Sequence, residues 1–398
     1  MVRNNNKKVF AQISFLTKNN IKLLVFKIVD ILLFFRRSRI EPNTLLLIRV
    51  DRIGDFILWL DTAKEYKKHY PNYKIILIAN ELWANLAIEL PYWDQIISIN
   101  VNRISKNIIY RYQTLLKIKR LSTEITIQPT FSRVFLTGDS IVKTMDSKKK
   151  IGSIGDLDNL TSFQKRISDK WYTQLIKATD KPLMELQRNA EFISNLFDID
   201  ILPNLPVLTS IINLPSKFLF AEKYYILVPG ASASKKQWDI KSFSLLANYI
   251  YNSHRLIGII VGANSEKSIC EEVINNSTAK LMNLAGKTTL SELVEIIRNA
   301  SFIVGNDTAA IHIAASVNTR SLCILSGAHY GRFLPYNINH NTIYKHNIPI
   351  VINRKMDCYG CGWKCVYKYP PNSPVPCVQR VKVVDVYSKI DELLLMKN

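Results

Sequence analysis

Short apolar runs alternate with amphipathic segments twice along this chain, and a proline-rich stretch separates the two series. Few architectures accept that pattern. A short apolar run flanked by helices reads as a strand buried on both faces, and strands alternating with helices build a parallel sheet. Thr44–Val50 (TLLLIRV) is the first such run. Phe56–Tyr70 reads as the following helix, ended by Pro71, which can neither donate a backbone bond nor continue the turn. Lys74–Ala79 is a second strand, and Gln95–Ile99 and Glu124–Gln128 are weaker ones. Residues 139–182 are charged and turn-rich, and Met184–Phe197 is again helical. Pro203, Pro206 and Pro215 mark Ile201–Ser216 as a linker. The second series predicts strands at Tyr225–Val228, Leu256–Val261, Phe302–Val304 and Leu322–Leu325, and helices at Ile240–Tyr251, Ser291–Asn299 and Thr308–Val317. Thr289 with Glu292 three residues on is a capping box for the middle helix. The expected fold class is therefore α/β, with two doubly wound domains facing each other across a cleft.

Composition narrows the partners. With 398 residues, 47% hydrophobic and 21% charged, the chain is globular and long enough for more than one core. Its net charge of +21 points to anionic partners. Residues 1–40 hold nine Lys/Arg against the single acid Asp30. Within this arm Ile21–Phe35 is apolar except for Lys22, Lys27 and Asp30, which leaves a broad apolar face if the segment is helical. The run is too short and interrupted for a membrane span, and no small-residue cleavage site follows it. It reads either as a helix lying on an anionic membrane face or as one packed on the protein's own core. Few cysteines outside the C-terminal region suit a reducing compartment.

Three strand ends carry candidate chemistry, because ligands of open α/β sheets bind beyond the carboxyl ends of the strands. In Ile48–Asp55 (IRVDRIGD), Gly54 permits a tight turn into the helix. Asp55 then sits in the first helical turn, as a helix-end charge or as a general base. In Pro229–Trp238 (PGASASKKQW), small residues allow an anion close to the backbone and Lys236 supplies charge; the plainer reading is a turn with solvated lysines. In Gly305–His312 (GNDTAAIH), Asp307-Thr308 opens a helix whose amides suit a diphosphate, or serves only as an N-cap. Gly286-Lys287-Thr288 lacks the upstream glycine of a phosphate-binding P-loop, where Leu281 stands. Asp156–Asp158 and Asp198–Asp200 are Asp-x-Asp pairs best explained by chance. Cys358, Cys361, Cys365 and Cys377 fall within twenty residues, a spacing that could make a structural zinc site or leave four reduced thiols.

Taken together and in this order, these stretches resemble glycosyltransferase family 9, the heptosyltransferases of lipopolysaccharide core assembly. IRVDRIGD and LAGKTTLSELVEIIRNASFIVGNDTAAIHIAA carry most of the likeness, VPGAS…KKQW adds to it, and clustered C-terminal cysteines recur in many members. The resemblance, over about 43 to 390, implies the GT-B fold of two Rossmann-like domains. Beyond the basic arm at 1–40 it implies an acceptor domain at 41–205, a nucleotide-sugar donor domain at 206–352, and a cysteine-rich loop and C-terminal helix at 353–398. It further implies an inverting, metal-independent transfer from a nucleotide-diphospho-sugar, without a cofactor. Asp55 matches the catalytic base, Lys236 the lysine that neutralises the donor phosphates, and Asp307 the acid that holds sugar hydroxyls. Thr308 and Ala309 match the backbone phosphate cradle, Glu266 the ribose-binding acid, and Ser232 falls in the donor loop. Ala309 stands where the family usually has glycine, Asp239 and Asp61 replace usual prolines, and Asn318 and Arg320 replace a usual glycine and proline.

The expected function is sugar transfer, heptose or related, to lipopolysaccharide or another lipid-linked glycan at the cytoplasmic face of the inner membrane. The alternative is a non-catalytic GT-B relative that binds nucleotide sugar or lipid glycan. Nucleic acid is not expected as a partner, because the basic excess is spread over both domains and the arm and has no aromatic-plus-basic signature.

Overall fold

The computed structural model describes Phe26, Leu33 and residues 39–338 and 348–395. Two compact units emerge. The first holds the residues up to Asp51 and Lys67–Ala178; the second holds Arg52–Tyr66 and the chain from Thr179 onward.

The first unit is built on a six-stranded parallel sheet in the order β3-β2-β1-β4-β5-β6. Its strands are β1 Glu41–Arg49, β2 Lys74–Asn80, β3 Gln95–Ile99, β4 Thr123–Gln128, β5 Lys149–Ser153 and β6 Gln174–Ile176. Leu45 to Ile48 of β1 are fully buried, as a central strand covered on both faces requires. The second sheet has the order β12-β11-β10-β7-β8-β9, from β7 Tyr224–Val228, β8 Ile257–Ile260, β9 Leu281–Asn283, β10 Ile303–Asn306, β11 Ser321–Ile324 and β12 Ile350–Ile352. Counted within its own unit this is again order 3-2-1-4-5-6, the dinucleotide-binding arrangement. The crossover helices used below are α1 Ile53–His69, α2 Glu185–Phe197, α3 Ile240–His254, α4 Lys267–Asn275, α5 Leu290–Arg298, α6 Ala309–Ser316 and α7 Val383–Leu395. α5 carries the reciprocal Thr289/Glu292 capping box.

Several elements depart from the sequence reading. The turn-rich stretch 139–182 contains β5 and β6. Gly152 of β5 lies under the Tyr172 ring, which leaves no room for a Cβ, so this polar strand is specified by a distant side chain. β9 and β12 have three residues each, too few for a periodic signal. The expected linker at Ile201–Ser216 lies wholly inside the second unit, whose long continuous part begins at Thr179. All of α1 up to Tyr66 also belongs to that unit. Leu58 of α1 packs in one cluster with Leu186, Ile311 and Leu325, and its carbonyl accepts a bond from Asn189 Nδ2 at 3.2 Å.

Most of the basic arm lies outside the described residues. Of its apolar face, Leu33 is buried in the first unit's core beside Leu46 and Ile48. Phe26 is buried under the Arg111 guanidinium, 5.2 Å from its ring centre. These two side chains pack on the protein itself. Among the described residues no helix is long and apolar enough to cross a membrane. Asn318, at a usual glycine position, has φ +61°, a left-handed conformation that Asn tolerates better than other side chains. Asp239 caps α3 by accepting from Ser242 N at 3.0 Å, so the missing proline is replaced by a capping group.

Candidate active site

In a sheet of order 3-2-1-4-5-6 the crevice opens between the first and fourth strands, where the crossovers change direction. In the second unit these strands are β7 and β10, paired in parallel at Ile303 to Gly305. The loops after them are the two that the sequence singled out, Pro229–Trp238 and Asp307-Thr308.

The two loops are tied by Asn306. Its fully buried carboxamide donates to Pro229 O at 2.8 Å and accepts from Trp238 N at 2.8 Å. Trp238 is itself buried, donates to Val381 O at 2.8 Å and meets Phe243 edge-on. Both ends of the loop are thereby fixed, and Lys236 between them bonds Asp307 Oδ2 at 3.0 Å. Thr308 occupies the N-cap of α6, yet its side chain makes no cap bond and Oγ1 is buried without a partner. The plain N-cap reading of this residue therefore fails, since a capping hydroxyl would accept from the first helical turn. The first amides of α6 have no intrahelical acceptors by geometry, and the helix dipole adds partial positive charge there.

Asp55 reaches the same place from α1. A Cβ on Gly54 would lie 3.1 Å from His312 Cδ2 and 3.8 Å from Ala309 Cα. The backbone just before Asp55 thus lies close against the first turn of α6, and a side chain at position 54 would crowd the His312 ring. Asp55 is partly exposed in the first turn of α1. Upstream, Asn80 Nδ2 and Trp83 Nε1 each donate to Asp51 O at 3.0 Å and hold the IRVDRIGD turn at the carboxyl edge of the first sheet.

The expected residues Asp55, Lys236, Asp307, Thr308 and Ala309 are all brought to the N-terminus of α6. Glu266 lies one strand further on, beyond β8. Its carboxylate accepts from Ala263 N at 2.8 Å and lies against Gly230, where a Cβ would displace it. Ser232 is exposed in the β7 loop. The four cysteines line one pocket with Met356, Tyr359 and Trp363, and Cys377 Sγ accepts from Gly327 N at 3.4 Å. Among the described residues, however, no three His, Cys, Asp or Glu side chains stand together as metal ligands, so the thiols as placed do not fit a zinc ion. The discarded motifs have structural roles. Gly286, at φ +69°, is a turn residue whose amide bonds Gly262 O. Asp156 accepts from Ser132 Oγ, and Asp198 is a left-handed helix cap.

The sequence reading missed Asn306 and His312. The histidine is buried, stacks on Tyr336 and bonds its hydroxyl through Nδ1 at 2.7 Å. Burial pushes its pKa down to about 4; nearby Lys236 adds to the fall and Asp307 opposes it. At neutral pH the site is therefore floored by an uncharged imidazole. A conserved-looking periodicity could not reveal it, because His312 falls among the apolar positions of its helix.

The class defined by these two sheets and this site is a GT-B glycosyltransferase. The sequence profile of glycosyltransferase family 9 (heptosyltransferase) matches residues 163–362. The chain belongs to that family. A lipooligosaccharide heptosyltransferase 2 of Campylobacter jejuni is 23% identical over 256 residues, covering 60% of this chain and 77% of the relative. The solved structure of the Escherichia coli ADP-heptose LPS heptosyltransferase II superposes with TM-score 0.63 at 16% identity, over 88% of this chain and 98% of the other. The iron-containing dodecameric glycosyltransferase TibC of enterotoxigenic E. coli superposes with TM-score 0.53 at 12% identity, over 90% and 77%. At these identities the structures establish the shared fold.

The His312 pKa has a stability consequence. Its native value lies below the 6.5 of the free side chain, so the unfolded chain binds more protons between these values. The stability it contributes is complete above about pH 6.5 and is lost as pH falls towards about 4, by roughly 3 kcal/mol in all. In thermal melts, His312→Gln is expected to be less stable than wild type at pH 7 but flatter between pH 6.5 and 4. Equal slopes in the two proteins would show that His312 does not titrate in this way.

Proposed function

We propose that the chain is an inverting glycosyltransferase that moves a sugar, heptose or a close relative, from a nucleotide-diphospho-sugar to a hydroxyl of lipopolysaccharide or another lipid-linked glycan. The observation that carries this reading is the seating of Gly54 against Ala309 and His312. It brings the residue before Asp55 against the first turn of α6, next to the Lys236–Asp307 pair, which supports a carboxylate acting beside a helix end suited to an anion.

The proposed chemistry follows from those groups. A sugar hydroxyl is a weak nucleophile at neutral pH. The Asp55 carboxylate takes its proton as the oxygen attacks C1 from the face opposite the diphosphate. The bond from C1 to the phosphate oxygen breaks, and negative charge grows on the departing nucleoside diphosphate. Lys236 and the α6 amides, including those of Thr308 and Ala309, stabilise that charge, which is largest in the transition state. Asp307 accepts from donor sugar hydroxyls, and Glu266 from the ribose. Ala309, with a side chain no larger than methyl, keeps the helix end open to a phosphate. An ADP-linked heptose is supported by the E. coli neighbour, an ADP-heptose LPS heptosyltransferase. Protein cations supply the leaving-group charge in this reading, so the transfer is metal-independent and any metal on the cysteines is structural.

We place the enzyme on the cytoplasmic face of the inner membrane, where its acceptor would be presented. Phe26 and Leu33 pack on the protein itself, so the attachment we propose draws on the arm's basic residues.

Three outcomes test the proposal. With ADP-heptose and a lipid-glycan extract as acceptor, read by mass spectrometry, Asp55→Asn is expected to lower kcat about 10²–10⁴-fold with donor Kd nearly unchanged. A near wild-type rate would return Asp55 to the role of a helix-end charge. Lys236→Ala is expected to lose donor affinity and kcat together, while the wild-type rate persists in EDTA. Loss of turnover in EDTA with an unchanged melting curve would overturn metal independence. Finally, the triple substitution Arg36→Glu, Arg37→Glu and Arg39→Glu should weaken co-sedimentation with phosphatidylglycerol vesicles, with wild-type binding falling as salt rises. Salt-insensitive, undiminished binding would rule out the basic tether.

A further inference from the structure

Trp363 lies just beyond the segment that the family profile matches, in the turn Gly360-Cys361-Gly362-Trp363. Gly360, Gly362 and Trp363 have φ of +81°, +55° and +67°. Two of these are glycines, for which the conformation costs little. A bulky aromatic residue there is an outlier, and such strain persists only where surrounding structure over-determines it. The surroundings here do so. Gly360 N donates to Gly327 O at 2.7 Å and Gly362 N to Ala328 O at 3.0 Å, which ties the turn to the segment after β11. Val375 N donates to Lys235 O at 3.1 Å, which ties the same C-terminal region to the Lys236 loop.

The indole that this backbone presents is half-exposed and faces cations. Lys235 Nζ lies 4.2 Å from its ring centre and Lys236 Nζ 5.4 Å. The His329 ring closes one side at 5.7 Å. Both ammonium groups are within the range of cation–π attraction. Lys236 is also bonded to Asp307, whereas the ammonium of Lys235 rests on the indole. Two lysines adjacent in sequence repel each other and would ordinarily splay into water. One aromatic surface gathers them at the mouth of α6 instead.

We propose that Trp363 is a positioning residue for the donor diphosphate, which holds Lys235 and Lys236 together so that both ammonium groups meet it. The proposal rests on the reading of Lys236 as a phosphate ligand and adds Lys235 as a second cation and Trp363 as their common support. The tryptophan lies between Cys361 and Cys365, so the cysteine-rich loop gains a purpose: it shapes one wall of the donor site.

The test is calorimetric binding of ADP, with UDP and GDP in parallel, to the full-length chain, with a melting curve for every variant. Trp363→Ala is expected to weaken the best of the three diphosphates about tenfold, and Trp363→Phe, which keeps a π face, to recover most of that loss. Lys235→Met is expected to weaken binding and to reduce its salt dependence. In a Lys235→Met, Lys236→Met background, Trp363→Ala should make no further difference, because the support has nothing left to hold. If Trp363→Ala binds as wild type while Lys236→Met does not, the positioning role is wrong and the donor reading stands. If Lys236→Met also binds as wild type, the donor reading itself fails. If Trp363→Ala loses affinity and melting temperature together and Trp363→Phe rescues neither, the residue is merely structural and the proposal is overturned.

Discussion

A single buried carboxamide holds the donor-side geometry together. Asn306 ends β10 with no exposure to water, so each of its polar atoms must find a partner inside the protein. It finds them on the loop after β7, at Pro229 O and Trp238 N. That loop is short of regular structure and rich in small residues, and without such a tie its ordering entropy would be unopposed. With both ends fixed, Lys236 has little choice but to stand beside Asp307. The site therefore inherits the rigidity of the sheet although its residues lie on loops.

The second constraint is the uncharged floor. Burial of His312 outweighs the opposing pull of Asp307, and Lys236 adds to it, so a positive charge is disfavoured there; its bond to Tyr336 fixes the ring plane. A flat, neutral ring lets the backbone at Gly54 approach closely. The chain thus brings the start of α1 against α6 at Gly54. Positive charge is kept for the loop that carries Lys235 and Lys236.

Much of this was legible in the residues. The central strands β1, β2, β7 and β10 announce themselves as apolar runs, because a strand covered on both faces has no polar positions to spare. The capping box at Thr289 and the stop at Pro71 are local chemistry, and they hold in the structure within a residue or two. The positions around IRVDRIGD and GNDTAAIH were recognisable because tight turns into helices demand particular small and acidic residues. Less legible were β5, β6, β9 and β12, which are short or polar and are specified by partners far away, as Gly152 is by Tyr172. Cysteine spacing alone left zinc or four reduced thiols open, because spacing does not say where four thiols on a proline-rich loop will point; here they line an apolar pocket, and among the described residues they form no metal-ligand set.

The sequence by itself determined the two βα series, the positions of the strand ends and the identity of the groups there, because periodicity and turn chemistry act over a few residues. Only the tertiary structure decided that α1 joins the second unit, that Thr308 leaves its hydroxyl unused, and that Trp363 gathers two lysines from more than a hundred residues away. Those outcomes depend on contacts between segments distant in the chain. The balance of burial, strain and charge that selects them exists only once both sheets have formed.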